Sequence, residues 1–250
     1  MTELDCTSID TALPSVAGLM RMSTMTLAQK LLSYSPREYE DDCNSSDSDS
    51  LDVLWWRIFR CLQKPVPESI MWFHATRVRP GTSFADGIRP LNERLGDLEE
   101  IVKQCAKDLG LNIGGHAPDE YWTHSGGIQF SLKTSDRMHW GPYAFLMREV
   151  ILPGTSDVHD YLSAPEIVED IARRDYGPSW QKVLDRFRSM TVPCIVHFRD
   201  WKRRDDAAAF ALRYCHKRIH ERDNDAILHT CYDAAGVPVS PSAIVRVEYL

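Results

Sequence analysis

The stretch Ile70–Pro90, IMWFHATRVRPGTSFADGIRP, constrains the fold of this chain more than any other segment. An apolar run that ends in a histidine is typical of a buried strand, and the Arg-Pro-Gly sequence at residues 79–81 predicts a turn after it. The pattern that follows is that of a short helix closed by Gly87. A strand whose end carries His-x-Thr and is followed by a turn is suited to holding a ligand.

The negative charge of the chain is concentrated at its N-terminal end. Residues 1–52 hold ten acidic and three basic residues, which accounts for the whole formal charge of −7. Glu38–Asp52 is rich in acids and serines and has few apolar side chains to bury, so it predicts a flexible linker. A solvated loop on the main domain is the alternative. We therefore expect an N-terminal extension over 1–52, which offers a docking segment for a protein partner, and a domain over 53–250.

The spacing of the cysteines and the hydropathy of the chain indicate the cellular compartment in which the protein acts. The seven cysteines are odd in number and include no Cys-x-x-Cys, which argues against a disulfide framework and favours a reducing compartment. No window approaches the roughly 18 apolar residues of a membrane span. The first residues are acidic and lack the basic start of a secretory signal. We expect a cytoplasmic protein, in its own cell or in a target cell, with no membrane partner.

Apolar periodicity predicts helices and strands that alternate without a regular β-α-β rhythm, which favours an α+β fold with a mixed or largely antiparallel sheet flanked by helices. The predicted strands cover 70–76, 126–132, 143–152, 192–198, 226–231 and 243–249. The predicted helices cover 26–33, 53–62, 91–109, 165–190 and 205–223.

Several side chains are candidates for a binding site. His74 and Thr76 point to the same side of a strand and together offer an imidazole and a hydroxyl to the diol of a sugar; a structural histidine is the alternative. The Gly126-Gly127 pair allows close backbone approach, Phe130 offers the floor of a pocket, and Tyr143 offers a ring to stack on a heterocycle. The histidines and acids between 116 and 139 fit no standard ligand spacing, so no metal site is predicted.

Three blocks of the chain resemble ADP-ribosyltransferases of the diphtheria-toxin and poly(ADP-ribose) polymerase class. The first is H-x-T followed by F-x-x-G-I-x-P, the second is GGIQFSLKTSDRMHWGPYAFLMREVILP, and the third is ILHTCYDAAGVPVSPSAIVRVEYL. They occur in the order expected of that family and span roughly 70–250. The resemblance implies an ADP-ribosyltransferase-like domain over 53–250 with NAD as its substrate.

The same resemblance implies roles for individual residues. His74 and Thr76 would hold the ribose and the nicotinamide amide, with Ala75 where glycine is usual, and Tyr143 would stack on the nicotinamide. The remaining residues assigned to cofactor binding are Gly127, Phe130 and Ser131.

The family's late glutamate falls on Leu228 or His229, and neither is a carboxylate. His229 is therefore the candidate for a general base or phosphate ligand, with an ordinary strand residue as the alternative. Asp225, Asp233 and Glu149 are the candidate replacement carboxylates.

The resulting expectation is an NAD-dependent mono-ADP-ribosyltransferase that modifies a protein or nucleic-acid acceptor, of the kind found among bacterial toxins, effectors and defence proteins. The missing glutamate keeps an alternative open: a non-catalytic module on the same fold that binds ADP-ribose or another nucleotide, or that serves in an assembly.

Overall fold

The structure is a computed structural model that describes residues 2–46, 48–61, 63–113, 121–154, 159–201, 204–221 and 231–250, with the backbone alone at 121–124, 204 and 205. The chain is a mixed α+β protein, as predicted, and divides into two compact units. Unit 1 comprises Met1–Phe73, Ala144–Val158 and Phe198–Tyr232, and unit 2 comprises His74–Tyr143, His159–His197 and Asp233–Leu250.

The described strands form one sheet in the order β5-β3-β2-β4-β6, and β1 pairs with β2 off this path. β1 is parallel to β2, with Glu3 opposite Ser69, whereas β3 is antiparallel to it, with Phe73 opposite Phe145. The strands are β1 Glu3–Leu4, β2 Ser69–Val78, β3 Tyr143–Phe145, β4 Val192–Asp200, β5 Cys231–Asp233 and β6 Ile244–Tyr249.

The described helices account for most of the regular structure. They are α1 Ile9–Leu19, α2 Thr24–Leu32, α3 Pro36–Asn44, α4 Ser50–Phe59, α5 Leu91–Asp108, α6 Tyr121–Ser135, α7 Glu166–Tyr176, α8 Trp180–Met190 and α9 Arg204–Ile219. None of these helices is long and apolar enough to cross a membrane. All seven cysteines lie among the described residues as free thiols.

Unit 1 contains α1 to α4 and α9. Two of these helices, α3 and α4, replace much of the flexible acidic linker that was predicted over 38–52. Residues 36–44 form α3, which is started by a capping box in which Ser35 and Glu38 each accept from the other's backbone N–H. Tyr39 is buried and donates its hydroxyl to the carbonyl of Ser50. The acidic composition of this segment did not indicate the capping box at Ser35 and Glu38 or the burial of Tyr39. The predicted boundary at residue 52 stays a prediction.

Unit 2 is built around α5, α7 and α8, whose apolar faces form a shared core that includes Val102, Ile171, Val183 and Phe187. The amphipathic spacing of 91–109 and 165–190 predicted these helices, and the structure confirms them. Gly177 is the C-cap of α7 and separates it from α8.

The segment 126–132 was predicted as a strand, and the structure corrects it to the second half of helix α6. A short apolar run does not by itself distinguish a strand from a buried helix segment. Gly126 decides the packing, because a Cβ at this position would lie 2.8 Å from the backbone nitrogen of Arg174 on α7. On the same side, Lys133 lies 2.9 Å from Glu166 and 2.7 Å from the buried carboxylate of Asp170. These contacts hold α6 against α7 as a helix.

The strand predicted over 143–152 is also shorter in the structure. β3 ends at Phe145, and Arg148–Ile151 forms a turn of 3-10 helix. Residues 144–147 and 150–151 are buried and apolar across the break, which is why the sequence pattern alone merged the two pieces. The strands predicted over 70–76, 192–198 and 243–249 are confirmed as β2, β4 and β6, while the one predicted over 226–231 lies outside the described residues except for Cys231.

Arg77 fixes the end of β2 inside unit 2. Its guanidinium donates to the carbonyl oxygens of Leu162 at 2.6 Å, Arg188 at 2.9 Å and Thr191 at 2.8 Å. It also donates to the Thr191 hydroxyl at 3.0 Å. The planar guanidinium thereby satisfies several main-chain acceptors at the ends of the α7 and α8 segments at once.

Arg77→Ala should lower the free energy of unfolding by about 2–4 kcal/mol, because it leaves these partly buried carbonyls without their donor. Urea unfolding followed by circular dichroism measures this loss. Arg89→Ala is the matched control, since Arg89 is exposed on the following loop, and it should change the value by less than about 0.5 kcal/mol. Equal stability of the two variants would contradict the role given to Arg77.

Candidate functional site

His74 is the first residue of unit 2 on β2, directly after the fully buried Trp72 and Phe73. The imidazole is half-buried, and its Nδ1 lies 2.6 Å from the carbonyl oxygen of Tyr143. Burial lowers the pKa of His74 below its ordinary value of 6.5, although the bond to the carbonyl acts in the opposite direction. Because a carbonyl only accepts, Nδ1 carries the proton, and the neutral ring presents Nε2 as an acceptor.

Tyr143 opens β3 and keeps 39% of its surface exposed. Its hydroxyl donates to the carbonyl of Met138. The ring packs over Gly141, whose φ of 56° suits glycine and where a Cβ would lie 2.9 Å from a ring carbon of Tyr143. The backbone before β3 therefore holds the phenol in place.

The imidazole of His74 meets the backbone of Tyr143, and the two side chains point to opposite faces of the strands. Phe73 and Phe145 are directly opposite and so share a face. Side chains alternate along a strand, so Tyr143 lies on the face of Phe145 while His74 lies on the other. The structure thus brings His74, in the middle of β2, beside Tyr143, at the start of β3, without placing both rings in one pocket.

Asp233 is a carboxylate that lies beside the start of β3. It ends β5, which neighbours β3. The N–H of the next residue, Ala234, donates to the Pro142 carbonyl at 3.1 Å, and Gly236 donates to Gly141 at 2.7 Å. The half-buried Asp233 carboxylate accepts the Ala235 N–H at 2.7 Å. Of the two candidate replacement carboxylates that the structure describes, Asp233 and Glu149, Asp233 is the one that the strand order places beside Tyr143.

Arg137 contributes a cation at this edge that the sequence patterns did not single out. It is exposed, and its Nε donates to the carbonyl of Ala235 at 2.9 Å, next to the turn that Asp233 caps. A lone arginine in a turn carries no sequence signal of its own. Only the pairing of 141–142 with 234–236 shows that Arg137 lies beside the Asp233 turn.

The other predicted cofactor residues fall into two groups. Ala75 is buried and Thr76 half-buried on β2, next to His74. Gly127, Phe130 and Ser131 lie on α6. The Phe130 ring lies 3.9 Å beneath the guanidinium of Arg174, and the Ser131 carbonyl accepts the Ser135 hydroxyl at 2.6 Å. These α6 contacts serve helix packing, and their assignment to a cofactor stays a prediction.

His229, the candidate base or phosphate ligand, and Asp225, a candidate replacement carboxylate, lie outside the described residues. Glu149 lies in unit 1, whereas His74, Tyr143 and Asp233 lie in unit 2. The carboxylate of Glu149 is 3.4 Å from Arg218, within unit 1. Across the described ranges, no group of three histidine, cysteine or acidic residues is arranged to hold a metal ion.

Comparisons of this chain with protein-family models, with curated proteins and with solved structures found no match.

The lowered pKa of His74 predicts a pH dependence of stability. Between the folded pKa and 6.5, the unfolded chain binds a proton that the native protein does not, so the free energy of unfolding rises with pH in this window. This contribution is complete above pH 6.5 and is lost as the pH falls towards the folded value. His74→Gln should flatten that slope in urea unfolding measured across a pH series. An identical slope in both proteins would contradict a buried neutral imidazole.

Proposed function

We propose that this chain is an NAD-dependent mono-ADP-ribosyltransferase whose substrate binds beside the start of β3, between the middle of β2 and the end of β5. The single observation that carries the proposal is that contacts to the main chain hold His74, Tyr143 and Asp233 close together on three neighbouring strands. A histidine, a tyrosine ring and a carboxylate are the side-chain types that the resemblance of the three sequence blocks implies for holding NAD and stabilising the ribose as nicotinamide leaves.

His74 and Thr76 supply the ribose contacts in this proposal. They lie on one side of β2, two residues apart. The neutral imidazole offers an acceptor to one ribose hydroxyl, and the threonine hydroxyl donates to or accepts from its neighbour. A lowered pKa keeps this imidazole neutral at pH 7, which is the form that accepts from a sugar hydroxyl.

Asp233 takes the part of the missing glutamate. Positive charge builds on the ribose as nicotinamide leaves, so a fixed carboxylate close to it lowers the barrier. Arg137, next to the same turn, is suited to the pyrophosphate, since guanidinium groups bind phosphate oxygens through two donors. The exposed face of Tyr143 is available for stacking on the nicotinamide ring.

The proposal extends to the setting of the activity. The acceptor is a protein or a nucleic acid, and transfer of this kind suits a toxin, an effector or a defence protein acting in a cytosol. The acidic N-terminal segment provides a surface for a protein partner.

A second candidate function is binding of ADP-ribose or a related nucleotide without transfer. The opposite faces of the His74 and Tyr143 rings favour it, because a dinucleotide reaches both rings only by passing over the end of β3. A ligand that binds only the face of the sheet on which His74 lies need not pass over the end of β3. Its scissile bond would then not lie against Tyr143.

Labelling with radioactive NAD in cell extract tests the transferase. His74→Ala, Tyr143→Ala and Asp233→Asn should each reduce transfer by about a hundredfold or more, since each removes a group that acts in the transition state. His220→Ala is the matched histidine control, because His220 also lies 3.0 Å from a backbone carbonyl, that of Leu31. Asp97→Asn is the control for the acid.

Two outcomes decide between the candidates. Unchanged labelling by the His74 and Tyr143 variants would remove the transferase, whereas calorimetric binding of ADP-ribose without release of nicotinamide from NAD would support the binding module. Absence of binding by either nucleotide would contradict both.

A further inference from the structure

Arg213, on α9, holds a positive charge at a half-buried position within unit 1. Its Nη1 donates to the Ser50 hydroxyl at 3.1 Å, and its guanidinium carbon lies 5.9 Å from the centre of the Tyr39 ring. Its Nε is buried and, in the part of the chain that the structure describes, has no hydrogen-bond partner. Within the same ranges no carboxylate pairs with it. A charge taken out of water normally has an opposite charge beside it, and this guanidinium has only neutral contacts.

The Ser50 hydroxyl is held directly against this cation. Ser50 is the first residue of α4, after the N-cap Asp49, and it is half-buried. Its carbonyl accepts the Tyr39 hydroxyl at 3.0 Å, which fixes the backbone, while its Oγ accepts from Arg213. A group attached to this Oγ would therefore lie within reach of the guanidinium.

A phosphate is the group that would supply what Arg213 lacks. It brings nearly two negative charges and three acceptor oxygens, and a guanidinium binds such oxygens through two donors at once. On Ser50 it would also lie in the first turn of α4, where the helix dipole favours an anion. An uncharged modification of the same hydroxyl would leave the guanidinium without a counter-ion.

The sequence around Ser50 is complementary to one class of modifying enzyme. Residues 38–56 contain no lysine or arginine, and three acids, Asp47, Asp49 and Asp52, lie within three positions of Ser50. A serine kinase whose substrate groove is basic matches such a stretch in charge. Because the ends of helices fray, the first residue of α4 can enter a kinase at small cost.

We propose that Ser50 is a phosphorylation site for an acid-directed serine kinase, and that Arg213 binds the phosphate and so ties α4 to α9. In the transfer the Ser50 oxygen forms a bond to the γ-phosphorus of ATP, and the bond from that phosphorus to ADP breaks. The hydroxyl proton leaves to a base of the kinase. This site is independent of the one proposed at His74, Tyr143 and Asp233.

Treatment of the full chain with a purified acid-directed serine kinase and ATP tests the site. A variant in which Ser45, Ser46 and Ser48 are replaced by alanine leaves Ser50 as the last serine of the 45–50 run. Mass spectrometry should find phosphate on Ser50. The midpoint of thermal unfolding should rise by about 3 °C or more, because charge-assisted hydrogen bonds then join the two helices. Adding Ser50→Ala to this variant should abolish both effects.

Arg213→Gln separates binding of the phosphate from its mere presence. In this variant Ser50 should still be phosphorylated, but the rise in the unfolding midpoint should disappear. Phosphorus NMR gives a readout apart from stability: the second pKa of the phosphoserine, ordinarily about 6, should be lower by about half a unit or more with Arg213 than with glutamine. Arg213→Lys, which keeps the charge, should retain part of that difference and serves as the comparison if the glutamine variant does not fold.

Two results overturn the proposal. One is a chain that the kinase leaves unmodified at Ser50. The other is a phosphoserine whose pKa and effect on the unfolding midpoint are the same with and without the Arg213 guanidinium.

Discussion

The main-chain hydrogen bonding of β2 is the constraint on which the rest of the structure depends. Residues 70–73 in its first half are buried and apolar, so the N–H and C=O groups there need partners within the protein. β1 and β3 pair with this half within unit 1, and the Arg77 side chain anchors the far end of the strand to the carbonyls of Leu162, Arg188 and Thr191 within unit 2. A strand that is fixed along its whole length presents its polar residues at a defined place.

The candidate site follows from that fixation. Immediately beyond the Phe73–Phe145 pair, the His74 imidazole takes the Tyr143 carbonyl as its partner. The 234–236 turn in turn pairs with 141–142, which places Asp233 beside the start of β3. The geometry is therefore carried mostly by backbone acceptors and donors, and the side chains are left to face outward. This arrangement provides preorganised polar groups without requiring a deep apolar pocket.

The sequence predicted the elements whose periodicity is long and regular. The strand at 70–76, the helix at 91–109 and the pair of helices over 165–190 are confirmed because their apolar spacing matches one structure only. The segment 126–132 was assigned wrongly, since its seven residues fit a strand or a helix and only the approach of Gly126 to α7 decides. The helix at 36–44 depends on a capping box and one buried tyrosine, which composition does not reveal.

The sequence predicted individual candidate residues, whereas their arrangement is visible only in the structure. His74 and Tyr143 were both predicted from the motifs, and the structure places one against the backbone of the other. What the sequence did not provide was the face on which each ring lies, because that depends on the register of β2 against β3. Arg137 was missed for the same reason, as its place beside the 234–236 turn is a product of pairing between distant segments.

The ion cluster between α6 and α7 has an evolutionary consequence. Lys133 neutralises a carboxylate, Asp170, that is only 3% exposed, and Glu166 shares the same ammonium group. Loss of the lysine alone would leave a buried charge uncompensated, at a cost of about 3–5 kcal/mol, whereas apolar residues of similar volume at all the positions would be tolerated. Descendants of this chain should therefore exchange these residues as a group, and single replacements should be rare among them.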